Sequence, residues 1–233
     1  MSTKHILHIV TNQSHYAEDK DHPTGLWLGE LTHAYDKFEA AGYKQTMASI
    51  HGGSVPIEPK STGLGVGDKS TKAWQDDPEK MASLANTKSV TEVDAEDFDA
   101  IYFTGGHGVM YDFRNNEPLN KLTRDMWEQG KVVSSVCHGY CGLLDVKLND
   151  GKYLIDGKKL TGFSWNEEVL AGVSKAVPYN SEEEARQRGA DYSKALMPFV
   201  SNVVVDGKLV TGQNPGSATA TAEKVIEVLS ASA

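Results

Sequence analysis

The chain has 233 residues, and 23 Lys and Arg stand against 32 Asp and Glu, a formal charge of −9. That acidic balance, with no basic cluster, argues against nucleic acid as a partner. No apolar run approaches the roughly 18 residues that a membrane span needs.

The N-terminal MSTKHILHIV has one lysine, a broken apolar run and no small-residue cleavage site, so it does not read as a secretory leader. His5–Val10 is a β-branched run and a predicted buried strand. Thr11–Thr24 is polar and predicts a loop. From Gly25 to Ala41 the spacing predicts a helix, with Trp27, Leu31, Ala34, Phe38 and Ala41 on one stripe and Gly42 ending it. Tyr43–Ile50 returns as a strand. Residues 52–89, with Gly63, Gly65 and Gly67, break the alternation. They predict a small inserted, loop-rich segment with one short helix near Pro78–Ala85. Ile101–Thr104 and Lys131–Val136 are further strands, with helices near Pro118–Glu128 and Gly139–Leu144. Asp206-Gly207 between Val200–Val205 and Lys208–Thr211 signals a hairpin, and Ala218–Leu229 closes as a helix. Alternating strands and helices imply an α/β fold with a mostly parallel sheet and helices on both faces. No linker, repeat or low-complexity tract divides the chain, so residues 1–233 are expected to form a single domain.

The most informative segment is KVVSSVCHGYCGLL, Lys131–Leu144. An apolar strand runs into Cys137-His138-Gly139 and then a helix, a sharp turn of the kind that lifts a nucleophile from a sheet edge. A thiol at a helix N-terminus should have a depressed pKa. The competing reading is an inert, buried cysteine, and that is the expected role of Cys141. The two cysteines give no disulfide framework, and a reducing cytoplasm is the expected compartment. Glu30 falls about 20° outside the apolar stripe of its helix. It is either a rim residue reaching solvent or a carboxyl held near the core, where its pKa would rise and it could share a proton with a thiolate. Gly105-Gly106-His107-Gly108 follows a strand directly, and such amides can stabilise an oxyanion. The run lacks the spacing of a nucleotide loop. No histidine or cysteine spacing suggests a metal site.

Taken in order, these motifs resemble the PfpI-type branch of the class I glutamine amidotransferase-like superfamily, nearest its heat-shock chaperone and glutathione-independent glyoxalase (glyoxalase III) group. Thr24-Gly25 with Glu30, Gly105–Gly108 with Asp112-Phe113, and Val136–Gly139 carry the resemblance. So do Thr161–Phe163 with Glu167-Glu168, and Leu209–Ala218. The resemblance implies a flavodoxin-like three-layer sandwich and a homodimer. It makes Cys137 the nucleophile, His138 the acid/base, Glu30 the carboxyl beside the thiol, and Gly105, Gly106 and His138 the oxyanion and substrate-binding groups. Glu168 would orient His138, with Glu167 as runner-up; adjacent glutamates cannot both face one nitrogen, so Glu167 is expected to behave as a surface residue. Bulky Tyr140 and Trp165 depart from the family pattern and are expected to reshape the pocket. The implied reaction converts a small 2-oxoaldehyde such as methylglyoxal to lactate through a cysteine hemithioacetal, with no cofactor and no metal. A holdase, a cysteine amidase or peptidase, and a protein deglycase are the alternatives.

Overall fold

The structure, a computed structural model, describes residues 3–17, 19–63 and 65–231. In chain order the strands are β1 His5–Val10, β2 His15–Tyr16, β3 Asp19–Pro23, β4 Lys44–Ser49, β5 Lys88–Ser89, β6 Ala100–Phe103, β7 Val132–Val136, β8 Lys159–Leu160, β9 Asp191–Tyr192, β10 Val203–Asp206 and β11 Leu209–Gly212. The helices are α1 Leu28–Ala40, α2 Lys69–Gln75, α3 Pro78–Ala85, α4 Val109–Asp112, α5 Glu117–Glu128, α6 Trp165–Leu170, α7 Ser181–Gln187 and α8 Ala218–Ala231.

Seven strands form the central sheet in the order β10-β11-β7-β6-β1-β4-β5. All neighbours are parallel except the β10/β11 hairpin at one edge. The short, β-branched runs are buried on both faces, as parallel strands covered by helices must be. Ile6 faces Phe38 of α1 and the buried side of α8, whereas Leu7 and Ile9 face the second core, with Met126 of α5. This is the flavodoxin-like three-layer arrangement that the sequence implies. β1 pairs with β4 on one side and β6 on the other, so the strand order reverses at β1. Open α/β sheets bind ligands beyond the carboxyl ends of strands at such a reversal.

Three local expectations are corrected. The first helix begins at Leu28, not Gly25. Residues 25–27 are instead an extended strut: Leu26 N donates to Pro56 O at 2.8 Å, and Trp27 N donates to Gly105 O at 3.2 Å. Segment 52–89 is more helical than expected. It carries α2 and α3 and a 3₁₀ turn at Pro59–Thr62, and β5 completes the sheet edge. The sequence KSTKAWQ offers α2 a thin apolar stripe, but Asp68 and Thr71 form a reciprocal capping box that starts it. Thr11–Thr24 contains the small β2/β3 ribbon. No helix among the described residues is long and apolar enough to cross a membrane.

Candidate active site

The carboxyl ends of β6 and β7 deliver the glycine loop and Cys137 to one place. Cys137 has φ +56°, a left-handed conformation that non-glycine residues adopt at a cost. The turn that follows, Cys137–Leu143, is 3₁₀ rather than the expected α-helix. Gly139 allows it to lie against β6, because a Cβ there would stand 2.2 Å from Phe103 O. Cys137 Sγ lies 3.4 Å from His138 Nδ1. His138 Nε2 donates to Glu168 Oε2 at 2.7 Å. The carboxylate can only accept, so the imidazole carries its proton on Nε2 and presents a lone pair to the thiol.

A second imidazole shares the same carboxylate. His107 Nε2 lies 2.7 Å from Glu168 Oε1, and the two imidazole rings sit 4.4 Å apart. Burial pushes Glu168 up, but the neighbouring His138 and the two imidazole hydrogen bonds outweigh it and hold the carboxyl well below the usual range. Burial lowers His138, so its resting form is neutral. His107 was missed as a partner of Glu168 because the contact spans 61 residues. The available signal was a histidine inside a glycine loop directly after a strand. The ligand atoms of His107, His138 and Glu168 all lie within 4.8 Å of one another, making them the group among the described residues that could hold a cation.

Glu30 is fully buried, so the rim reading fails. Its Oε2 accepts from Gly105 N at 2.8 Å. Burial raises this carboxyl to about 8, against the opposing pull of hydrogen bonds to Cys137 and the Gly105 amide. The Cys137 thiol is pushed up as well, first by burial and then by the Glu30 carboxyl; the His138 amide pulls the other way and is outweighed. The expected depressed thiol pKa is therefore wrong, because desolvation exceeds what a short 3₁₀ N-terminus returns. These shifts all favour the uncharged forms: a thiol, a neutral imidazole and a protonated carboxyl.

The glycine loop is specified by close approach. A Cβ on Gly105 would stand 2.6 Å from Glu30 Oε2, and one on Gly106 (φ +106°) would stand 2.1 Å from Gly25 O. Gly105 is also a correction: its N–H is already donated to Glu30, so it positions that carboxyl instead of facing a ligand. Gly106 and His138 do line the pocket, a cavity of about 180 Å³ that also opens onto Cys137, His107, Trp27, Glu58, Phe163 and Phe199.

Tyr140 and Trp165 are not on that wall. Tyr140 is buried, its hydroxyl donating to Phe163 O at 3.2 Å and hydrogen-bonded to the Ser181 hydroxyl at 2.7 Å. Cys141 is a core residue, its thiol pushed up to about 12 by burial. Glu167 is no surface residue either. It is fully buried and accepts from five donors: Ser164 N and Oγ, Gln213 Nε2, Asn214 Nδ2 and Phe199 N.

A strand-to-turn elbow that brings a thiol, an imidazole and a carboxylate together at a sheet reversal places the chain among flavodoxin-like α/β proteins of the DJ-1/PfpI kind. The chain belongs to the DJ-1/PfpI family, whose model matches residues 25–228. It is similar to "Glyoxalase 3" of Candida albicans, 33% identical over 92% of this chain and 93% of that one. It is also similar to "Glutathione-independent glyoxalase HSP31" of Saccharomyces cerevisiae, 29% identical over 98% and 99%. Among solved structures, the Rapid Encystment Protein of Francisella tularensis superposes with a TM-score of 0.92 at 35% identity, covering 97% of this chain and 99% of that chain.

Proposed function

We propose that the protein is a glutathione-independent glyoxalase that converts methylglyoxal and related 2-oxoaldehydes to 2-hydroxy acids. The carrying observation is the thiol 3.4 Å from a neutral imidazole whose far nitrogen donates to a buried carboxylate. The names of the similar yeast proteins agree with it.

As the Cys137 sulfur bonds to the aldehyde carbon, its proton passes to His138 Nδ1. The aldehyde oxygen becomes an alkoxide facing the Gly106 and His138 amides and takes that proton, giving a hemithioacetal. His138, neutral again, removes the C1 hydrogen as a proton, and the electron pair moves into an enediolate. Return of the proton at C2 re-forms a carbonyl at C1, now a thioester. Water then cleaves it, releasing lactate and the thiol. The sum is methylglyoxal plus water giving lactate. Glu30, protonated up to about 8, steadies negative charge on sulfur without adding its own. The chain supplies its own thiol, so the reading calls for no glutathione, metal or cofactor.

The test is lactate formation from methylglyoxal with no added thiol, for wild type and Cys137→Ala. We expect turnover in wild type and a loss of at least about 10³-fold in the variant. A folded Cys137→Ala that keeps most of the activity refutes the assignment. A second reading, capture of unfolding chains, draws on exposed Leu170, Leu196, Met197 and Phe199. Aggregation suppression that survives Cys137→Ala would support it beside the chemistry.

A further inference from the structure

Glu58 is a buried carboxylate that the proposed reaction does not use. It lies on the wall of the same pocket as Cys137 and His138 and is 2% exposed. Its backbone N–H donates to Leu26 O at 2.9 Å, on the strut that leads into Glu30, so its position is fixed by the framework of the site. One carboxylate oxygen, Oε1, accepts from Lys60 N at 3.2 Å. The other, Oε2, is buried without a hydrogen-bond partner among the described residues.

Such an atom calls for an explanation, because leaving a buried acceptor unpaired forfeits its hydration without return. A carboxylate only accepts, so what completes it must be a donor. Methylglyoxal, with a methyl group at C3, has none to offer at that end. Tyr16 sits near enough for the Glu58 charge to raise its phenol, after burial, yet among the described residues its hydroxyl makes no hydrogen bond to the carboxylate. Lys60, also on the pocket wall, disfavours a cationic ligand and leaves a neutral hydroxyl as the fitting donor. Phe163, Phe199, Ala171, Val173 and Pro215, on the same wall, carry no side-chain acceptor.

We infer that Glu58 is a specificity-determining residue that binds a hydroxyl on the distal carbon of the substrate, so that the site takes hydroxylated 2-oxoaldehydes in preference to methylglyoxal. This rests on the proposed glyoxalase reading and names its substrate class. The simplest such substrate is hydroxypyruvaldehyde, which with one water gives glycerate by the same proton transfers.

The experiment measures kcat/KM for hydroxypyruvaldehyde and for methylglyoxal with wild type, Glu58→Gln and Glu58→Leu, following glycerate and lactate. Wild type should favour the hydroxylated aldehyde. Glu58→Leu should lower the ratio of the two kcat/KM values by about tenfold or more. The near-isosteric Glu58→Gln, which keeps an acceptor oxygen, should lower it less and guards against a folding defect in the leucine variant. An unchanged ratio in both variants overturns the subsite, as does an equal loss on both aldehydes, which would give Glu58 a general role. If methylglyoxal is turned over and the ratio does not move, the subsite alone fails. Turnover of neither aldehyde by wild type removes both readings.

Discussion

Glu30→Gln offers a measurement that reads the electrostatics of the site through stability. In the folded protein the carboxyl is held at about 8 against an ordinary value of 4.5. The unfolded chain therefore releases this proton first, and folding takes one up at any pH between the two values. Stability from this group is intact below about pH 4.5 and is lost as pH rises through about 8. The full cost of holding the carboxyl at the higher value is about 5 kcal/mol, of which about 3–4 kcal/mol falls between pH 5 and pH 8. Asp112, raised by burial to about 6, titrates in both proteins and cancels from their difference. A glutamine keeps an oxygen for the Gly105 N–H and has no proton to lose. Urea unfolding at pH 5, 6, 7 and 8, followed through the four tryptophans, should show Glu30→Gln gaining on wild type by about 3 kcal/mol across that range. Activity should fall in the same variant, because an amide N–H is a weaker donor to charge developing on sulfur than a carboxylic O–H. Parallel stability profiles would refute the claim that Glu30 is held protonated.

Glu168→Gln should lower kcat by orders of magnitude with KM little changed, since one amide oxygen cannot accept from both His107 and His138. Its effect should be far from additive with His138→Ala. Glu167→Gln turns an amide NH₂ toward at least two of five donors and should lower the melting temperature by several degrees, a cost of about 2–4 kcal/mol; an unchanged melting temperature would contradict the buried network. Wild-type kcat/KM should decline above about pH 8 as Glu30 ionises beside the thiol, and the decline should be absent in whatever activity Glu30→Gln retains.

What was legible in the sequence was local. The β-branched runs at His5–Val10, Ile101–Thr104 and Lys131–Val136 announce strands because parallel strands are buried on both faces. The Asp206-Gly207 turn announces its hairpin because a tight hairpin turn needs a left-handed residue, which Gly207 supplies at φ +61°. Trp27 misled because it falls on the stripe of α1 by spacing, yet it belongs to an extended strut fixed by Pro56 and the glycine loop, partners no window of sequence contains. His107 stands out with its glycine loop, but its pairing is hidden because its carboxylate lies 61 residues along the chain. Glu58 sits in a polar run, PIEPKST, and nothing in that pattern tells a buried carboxylate from a solvated one. The thiol was misjudged for a different reason: helix-end electrostatics is visible from an elbow motif, whereas depth of burial is a property of the assembled pocket.

Glu167 and Glu168 stand side by side on the first turn of α6, and their carboxylates face different tasks. One ties down the backbone at Phe199, which has φ +62° and forms part of the pocket wall; the other holds two imidazoles. Any change of loop 195–202 that widens or narrows the pocket acts on the anchor of that turn, and through it on the proton relay one residue away. Grafting this loop from a relative is thus a transplant with a compatibility requirement. The donor sequence must bring a backbone N–H to Glu167 in the same left-handed turn, or the new specificity arrives with a misaligned histidine. Diversification of substrate range would proceed more freely around Glu58 and Lys60, on the pocket wall but outside the hydrogen bonds of Glu167 and Glu168.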